Sequence, residues 1–202
     1  MRTCGDKMNT VDTPKRKTDK RTINTKTAIK KTLLEMMRDM PFSRISVKEL
    51  CERINVNRTT FYIHYGNTMD VLTELIDEVL AMEVDNADHV CKSSNEKDGL
   101  CPYRLCDKVH KNRQLGVVFF DDSLKPVVID RISEFCKTGY VRKLMTDKDL
   151  NKSDAESIFY FQINGCLAVN KMVFQRGSGN WEHTSDLISQ FISGGLDHFK
   201  KK

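Results

Sequence analysis

Side chains that donate and accept hydrogen bonds are concentrated in one short segment: Asn57, Arg58, Thr59, Thr60, Tyr62 and His64. Arginine can form paired hydrogen bonds with guanine or with a phosphate, and amide and hydroxyl groups can bond base edges and phosphates. If the segment is helical, Phe61 faces inward and these polar groups are left to face outward. The segment is therefore suited to contact with nucleic-acid bases and phosphates.

The element that would position these groups is a pair of short helices joined by a tight turn, over residues 46–65. Ser46 followed by Glu49 predicts a capping box at the start of the first helix. Asn55 falls where the chain must reverse, and asparagine tolerates the left-handed backbone conformation that such a turn needs. Asn57 can cap the second helix. The pattern is that of a DNA-binding helix-turn-helix.

Residues 22–80 resemble the DNA-binding domain of TetR-family transcriptional regulators. The sequence TKTAIKKTLLEMMRD matches the first helix of that family, residues 41–45 match a corner containing Phe and Ile, and residues 67–70 match the start of a long fourth helix. Thr-Phe-Tyr-x-His-Tyr at residues 60–65 is the most specific element. Three positions depart from the pattern: Asn55 stands for a frequent glycine, Thr59 for a small residue, and Thr68 for the usual lysine.

The resemblance implies an all-α fold with an N-terminal helix-turn-helix domain and a C-terminal helical domain for ligand binding and dimerisation. It implies a homodimeric regulator, by default a repressor, that binds a palindromic double-stranded DNA operator and responds to a small-molecule effector. An activator acting with a protein partner and a helical protein–protein adaptor are the alternatives. The expected DNA-contacting residues are Ser46, Asn57, Arg58, Thr59, Thr60, Tyr62, His64 and Thr68.

The distribution of charge separates the N-terminal part, which contains the helix-turn-helix, from the rest of the chain. Residues 1–66 contain 15 Lys and Arg against 7 Asp and Glu, a net charge of +8, whereas residues 67–202 contain 18 against 21, a net charge of −3. We therefore expect a basic disordered arm over residues 1–21, a DNA-binding domain over 22–66 and an effector and dimerisation domain over 67–202. The arm could follow DNA phosphates or simply aid solubility.

The C-terminal half shows helical patterns with mixed aromatic and amide side chains of the kind that line ligand pockets. Gln162 and Asn164 are the most informative, because an amide on an apolar helix needs a hydrogen-bond partner in the protein or on a ligand. Ser153 with Glu156 predicts a second capping box. The candidate effector-binding residues are Tyr103, Phe120, Phe135, Phe159, Gln162, Asn164 and Cys166.

The last two helices carry apolar residues on more than one face, which a single neighbour would not cover. Glycines within these helical runs suit close helix approach. We expect the pair to form a dimer interface, with completion of the monomer core as the alternative. The candidate dimerisation residues are Gly165, Leu167, Val169, Val173, Phe191, Gly194 and Gly195.

Other classes of function lack support in the sequence. His89, Cys91, Cys101, Cys106 and His110 do not have the spacing of a compact zinc motif, so no metal is expected. No catalytic or nucleotide-binding fingerprint is present, so we expect neither an enzyme nor a cofactor. No apolar run approaches the roughly 20 residues that span a bilayer. The sequence thus favours a cytoplasmic protein with reduced thiols and no membrane association.

Overall fold

The structure is a computed structural model that describes residues 16–90, 103–177 and 180–199. Within these ranges the chain forms helices and no β-strand, which confirms the predicted all-α class. The helices are α1 (Arg16–Asp39), α2 (Val47–Arg53), α3 (Arg58–His64), α4 (Thr68–Val90), α5 (Tyr103–Lys111), α6 (Arg113–Phe119), α7 (Lys125–Asp147), α8 (Lys152–Arg176) and α9 (Trp181–Asp197), with a 3-10 turn at Phe42–Arg44 between α1 and α2.

A first layer of the core joins α1 to the helix-turn-helix and the start of α4. Ile29, Leu33, Leu50 and Phe61 are completely buried there, as is Leu72 of α4. In α1, the helical spacing of Ile29 and Leu33 places an apolar stripe against α2 and α4. We use the term head for this unit, residues 16–67 together with the first turns of α4.

The core continues without a break into the C-terminal helices, because α1 packs against α6 and α4 packs against α7. Val118, Val128, Ile132 and Leu144 are among the fully buried side chains of this second layer. Gly116 of α6 is needed for close packing, since a Cβ there would collide with the Phe174 ring of α8.

Ion pairs attach α4 to helices on both sides of it. On one side Glu74 accepts hydrogen bonds from Lys26 at 2.8 Å and Lys30 at 2.7 Å. On the other, Asp77 receives a bidentate pair from Arg131 of α7 at 2.7 and 2.6 Å. Burial would raise the pKa of the Glu74 carboxyl, but the hydrogen bonds and charges of the two lysines outweigh it and lower that pKa. Helix α4 is therefore the mechanical link between the head and the C-terminal helices.

Helix boundaries differ from the sequence-based expectations at three places. Helix α1 begins at Arg16, so the prediction of a disordered arm is wrong for residues 16–21, where lysine and arginine are good helix formers. Helix α8 is capped by Asn151, whose Oδ1 accepts from the Asp154 N–H at 2.9 Å, so the predicted Ser153 capping box is wrong. The last helix, which the sequence pattern predicts over roughly Ser185 to Phe199, begins instead at Trp181 and is capped by Asn180. Residues 1–15 of the arm and the predicted loop at 91–101 lie outside the described residues.

Candidate nucleic-acid interface

The first helix of the helix-turn-helix opens with the predicted capping box. The Glu49 N–H donates to Ser46 Oγ at 3.2 Å, and the Ser46 N–H donates back to Glu49 Oε2 at 3.1 Å. Hydrogen bonds from Ser46 lower the pKa of the Glu49 carboxyl, so the box stays intact in its charged form near neutral pH. Leu50 and Cys51 are buried, and Val47 and Ile54 pack against the core at half exposure.

The turn between α2 and α3 depends on one left-handed residue. Asn55 has a φ of 53°, unique in this respect among non-glycine residues in the described part of the chain. The reversal is closed by a hydrogen bond from the Val56 N–H to the Cys51 carbonyl at 3.0 Å. The prediction of left-handed backbone at Asn55 is confirmed.

This turn yields a stability prediction. An L-residue other than asparagine or glycine pays roughly 1–2 kcal/mol in the left-handed region, so Asn55→Ala should lower the free energy of unfolding by about 1 kcal/mol. Asn55→Gly should be at least as stable as the original, because glycine occupies this region freely. Urea denaturation of both variants provides the measurement. An alanine variant as stable as the glycine variant would show that the turn is not strained.

Helix α3 is fixed by its cap and by its buried aromatic residues. Asn57 Oδ1 accepts from the Thr59 N–H at 2.9 Å. Phe61 is completely buried, and Tyr65, at the end of the helix, is 4 % exposed, with Lys26 Nζ lying 5.1 Å from its ring centroid. Burial raises the pKa of the Tyr65 hydroxyl, and the neighbouring Glu74 carboxylate raises it further. The helix is therefore anchored along one side and free along the other.

The free side of α3 presents most of the predicted contact residues. Asn57, Arg58, Thr59 and Tyr62 are exposed, and Thr60 and His64 are half-exposed. Ser46 is also exposed, at the start of α2, whereas Thr68 is half-buried in the first turn of α4. The structure thus brings the helix residues to one surface, which we call the α3 face, with Ser46 and Thr68 at its margins.

Three residues on or near this surface were missed by the sequence reasoning. Ile63 of α3 is 72 % exposed, although its apolar character suggested no outward role. Arg44 and Lys48 are exposed just before and within α2. Lys48 and Arg58 border an open depression of about 420 Å³ between α2 and α3. Arg44 and Lys48 flank Ser46 in the sequence, and this proximity could have identified them. Ile63 was missed because its apolar character suggested burial.

The C-terminal half contains a small cavity between α5, α7 and α8. Phe159, Gln162 and Cys166 line it, as predicted for a pocket, together with Leu105, Cys106, Ile132, Tyr140, Ile163 and Leu167. Its volume is about 20 Å³, room for roughly one water molecule. Gln162 is buried and its Oε1 accepts a hydrogen bond from the Tyr140 hydroxyl. The hydrogen-bonded pair of Tyr140 and Gln162 therefore lies in a largely apolar space.

The remaining candidate effector residues lie away from this cavity. Asn164 is half-buried and donates to the Tyr160 carbonyl of its own helix at 2.9 Å. Phe120 packs on Phe174 with ring centroids 5.0 Å apart, and Phe135 is half-buried beneath the Arg131 guanidinium. Tyr103 begins α5, but its side chain is outside the described part. Asn164, Phe120 and Phe135 therefore contact neighbouring helical residues and are not among the residues that line the cavity.

Within the described residues, α8 and α9 each carry large apolar side chains that the protomer leaves exposed. On α8, Phe161 is 76 % exposed and shares a stripe at helical spacing with Gly165, Ala168 and Met172. On α9, Phe191 is 75 % exposed and Leu187 precedes it by one turn. We call this surface the α8–α9 face.

Glycines on the α8–α9 face leave space for a close approach. Gly165, Gly194 and Gly195 are exposed, and a Cβ at any of them would meet no atom within 4 Å. By contrast, Leu167 and Val173 are buried in the protomer, and Val169 is half-buried. The structure therefore places two of the seven candidate dimerisation residues inside the protomer, because α7 covers a second side of α8 that the sequence pattern could not assign.

Thiols and imidazoles do not form a metal-binding cluster within the described residues. No group of three or more His, Cys, Asp and Glu there could hold a metal ion. Cys51, Cys106 and Cys166 are buried and Cys136 is half-buried. Burial raises the pKa of the Cys51 and Cys136 thiols, which keeps them protonated near neutral pH. Of the described helices, none has the length and apolar character needed to cross a membrane.

Comparison with solved structures identifies the arrangement. A Syntrophomonas wolfei protein assigned to the TetR family of transcriptional regulators superimposes with a TM-score of 0.65 at 14 % identity, over 88 % of this chain and 96 % of that structure. The chain has the TetR-family fold. The resemblance that residues 22–80 suggested is thus confirmed at the level of the fold.

Two further structures share this fold. The dihydroxyacetone kinase operon activator DhaS matches with a TM-score of 0.60 at 16 % identity, over 89 % of this chain and 99 % of that one. The fatty acid degradation regulator FadR from Bacillus halodurans matches with a TM-score of 0.57 at 14 % identity, over 82 % and 93 % of the two chains. All three structures are named as regulators and none as an enzyme, in agreement with the absence of a catalytic motif.

Sequence comparison gives one curated relative, an uncharacterized HTH-type transcriptional regulator, YxbF, of Bacillus subtilis (strain 168). It is 28 % identical over 79 residues, which is 39 % of this chain but only 20 % of the length of that relative. No protein-family model matches the chain.

Proposed function

We propose that the protein is a cytoplasmic, homodimeric transcriptional regulator that binds a palindromic DNA operator through the α3 face. The observation that carries this proposal is the division of α3 into a buried aromatic side and an exposed side bearing Asn57, Arg58, Thr59 and Tyr62. A rigid helix with outward hydrogen-bonding groups is what reading of the major groove requires. The positive charge of residues 1–66 supports association with phosphates.

Dimerisation belongs to the same proposal. A palindromic operator is bound by two heads about 34 to 36 Å apart, which requires a two-fold symmetric assembly. The α8–α9 face supports such an assembly, because its large exposed aromatic side chains and open glycine surfaces suit contact with a second copy of the same helices. Repression by blocking a promoter is the simplest consequence of operator binding.

The operator claim can be tested by selection from a pool of randomised duplexes, followed by footprinting and affinity measurements at several salt concentrations. Arg58→Ala should weaken binding by roughly 1–3 kcal/mol if Arg58 contacts a base, or should lower the salt slope by about 1 if it contacts a phosphate. Arg142→Ala, at an exposed position of α7, is the matched control and should bind like the original. Absence of a discrete footprint would favour a helical adaptor that keeps the helix-turn-helix only as scaffold.

Effector control is proposed in two forms. In the first, an apolar or aromatic small molecule enters between α5, α7 and α8 and alters the spacing of the heads. Since the existing cavity is only about 20 Å³, such a ligand must displace side chains, and the buried pair of Tyr140 and Gln162 would have to exchange partners. To lower operator affinity tenfold, the ligand must bind the form with altered head spacing more tightly than the DNA-binding form by about 1.4 kcal/mol.

The second form is control without a small molecule, as in an activator that works with a protein partner. The small volume of the cavity, about 20 Å³, favours this form. A thermal-shift screen of apolar and aromatic compounds distinguishes the two. Stabilisation that is altered by Gln162→Leu, while operator binding is retained, supports the small-molecule form; absence of any stabilising compound supports the partner-dependent one.

A further inference from the structure

Ile63 occupies an unusual place on the α3 face. Helical geometry puts residues four apart on the same side, so Thr59 and Ile63 lie together, almost directly opposite the completely buried Phe61. At 72 % exposure, Ile63 is a large apolar side chain on the outward side of the helix. Nothing in the described part of the protomer covers it.

The surroundings of Ile63 point to DNA rather than to protein as its partner. Lys48 and Arg58 border the depression beside α3 together with Glu52, and residues 1–66 carry a net charge of +8, which suits an approach to phosphates and not to an apolar protein surface. A helix that enters the major groove meets hydrogen-bonding groups on every base pair, but only thymine presents an apolar group there, its 5-methyl. An outward isoleucine therefore has one matching chemical group in that groove.

We infer that Ile63 packs against the 5-methyl group of a thymine in each half-site, and so selects thymine at that position. The inference rests on the proposed DNA-binding function and specifies what the outermost part of the α3 face recognises. Polar neighbours such as Arg58 and Thr59 would form hydrogen bonds with the base edges. Ile63 would distinguish bases by whether they carry a methyl group.

The test uses the duplex obtained from in-vitro selection with the full-length protein. Each thymine of one half-site is replaced in turn by deoxyuridine, which keeps the hydrogen-bonding pattern and removes only the methyl group. Burial of one methyl-sized group corresponds to about a fourfold change in affinity. We expect one thymine at which deoxyuridine weakens binding by the original protein about fourfold, and at which Ile63→Ala binds both duplexes equally.

Two further variants separate a direct contact from a general effect. Ile63→Val should retain part of the discrimination, because it keeps the branched side chain and loses one carbon. Ile23→Ala truncates an isoleucine on α1 that is 56 % exposed, and should leave the fourfold difference unchanged. Circular dichroism and a thermal melt verify that each variant is folded.

Two results would overturn the inference while leaving DNA binding intact. In the first, no thymine shows a deoxyuridine effect; in the second, the effect persists in folded Ile63→Ala. Failure of the selection to enrich any duplex would instead contradict the proposed function itself, and with it this inference.

Discussion

Phe161→Arg is expected to convert the protein from a dimer to a monomer and to abolish tight operator binding. Phe161 belongs to the α8–α9 face and is 76 % exposed in the protomer, so a charge there leaves the monomer fold intact. Within a two-fold interface, however, two arginines would be brought together and desolvated without partners. Loss of the second head removes an avidity that is typically worth roughly 10²–10⁴-fold in affinity.

Sedimentation velocity at micromolar concentration, together with a titration of the selected operator, measures both effects. Met145→Arg is the control, because Met145 is an exposed apolar residue, at 40 %, that belongs to α7 rather than to the α8–α9 face. Leu167→Arg is unsuitable as a test, since Leu167 is buried in the protomer and a charge there would unfold it. A monomeric original protein, or a dimeric Phe161→Arg variant, would contradict the proposed interface.

The head was predictable from the sequence because its signals are local. Ser46 with Glu49 specifies a capping box within four residues, and Asn55 specifies a left-handed turn by its own conformational preference. Spacing around Phe61 then distinguishes the inner from the outer side of α3 over a single helix. Ile63 escaped prediction because its apolar character argued for burial, while its direction argued for exposure, and only the structure decides between them.

The C-terminal helices were less predictable because α8 has apolar residues on most of its circumference. Leu167 faces the core and Phe161 faces outward, yet hydrophobic periodicity alone cannot say which neighbour covers which side. The pocket raises the same difficulty. Gln162 and Asn164 are two residues apart, but Gln162 lines the cavity and Asn164 bonds to its own helix. Such distinctions depend on how α7 packs across α8, which is a property of distant parts of the chain.

Truncation of the neighbouring residues Phe61 and Tyr62 should lower the free energy of unfolding by very different amounts. This difference is the sharpest stability test of the head. Phe61 is completely buried in the hydrophobic core, with its ring centroid 5.8 Å from that of Tyr65. Phe61→Ala should lower the free energy of unfolding by roughly 3–5 kcal/mol, since it removes buried apolar surface and leaves a cavity. Tyr62 is 56 % exposed, so Tyr62→Ala should cost below about 1 kcal/mol, mainly from the lost edge contact with Phe61.

Urea denaturation monitored by circular dichroism gives the two free energies, and titration of the selected operator gives the corresponding affinities. Tyr62→Ala should weaken operator binding in a protein that is still folded, whereas Phe61→Ala should lose binding only to the extent that the head unfolds. Adding a stabilising osmolyte should therefore restore binding to Phe61→Ala and not to Tyr62→Ala. If the two variants lost stability equally, α3 would not have a buried and an exposed side, and the assignment of its outer side to DNA would fail with it.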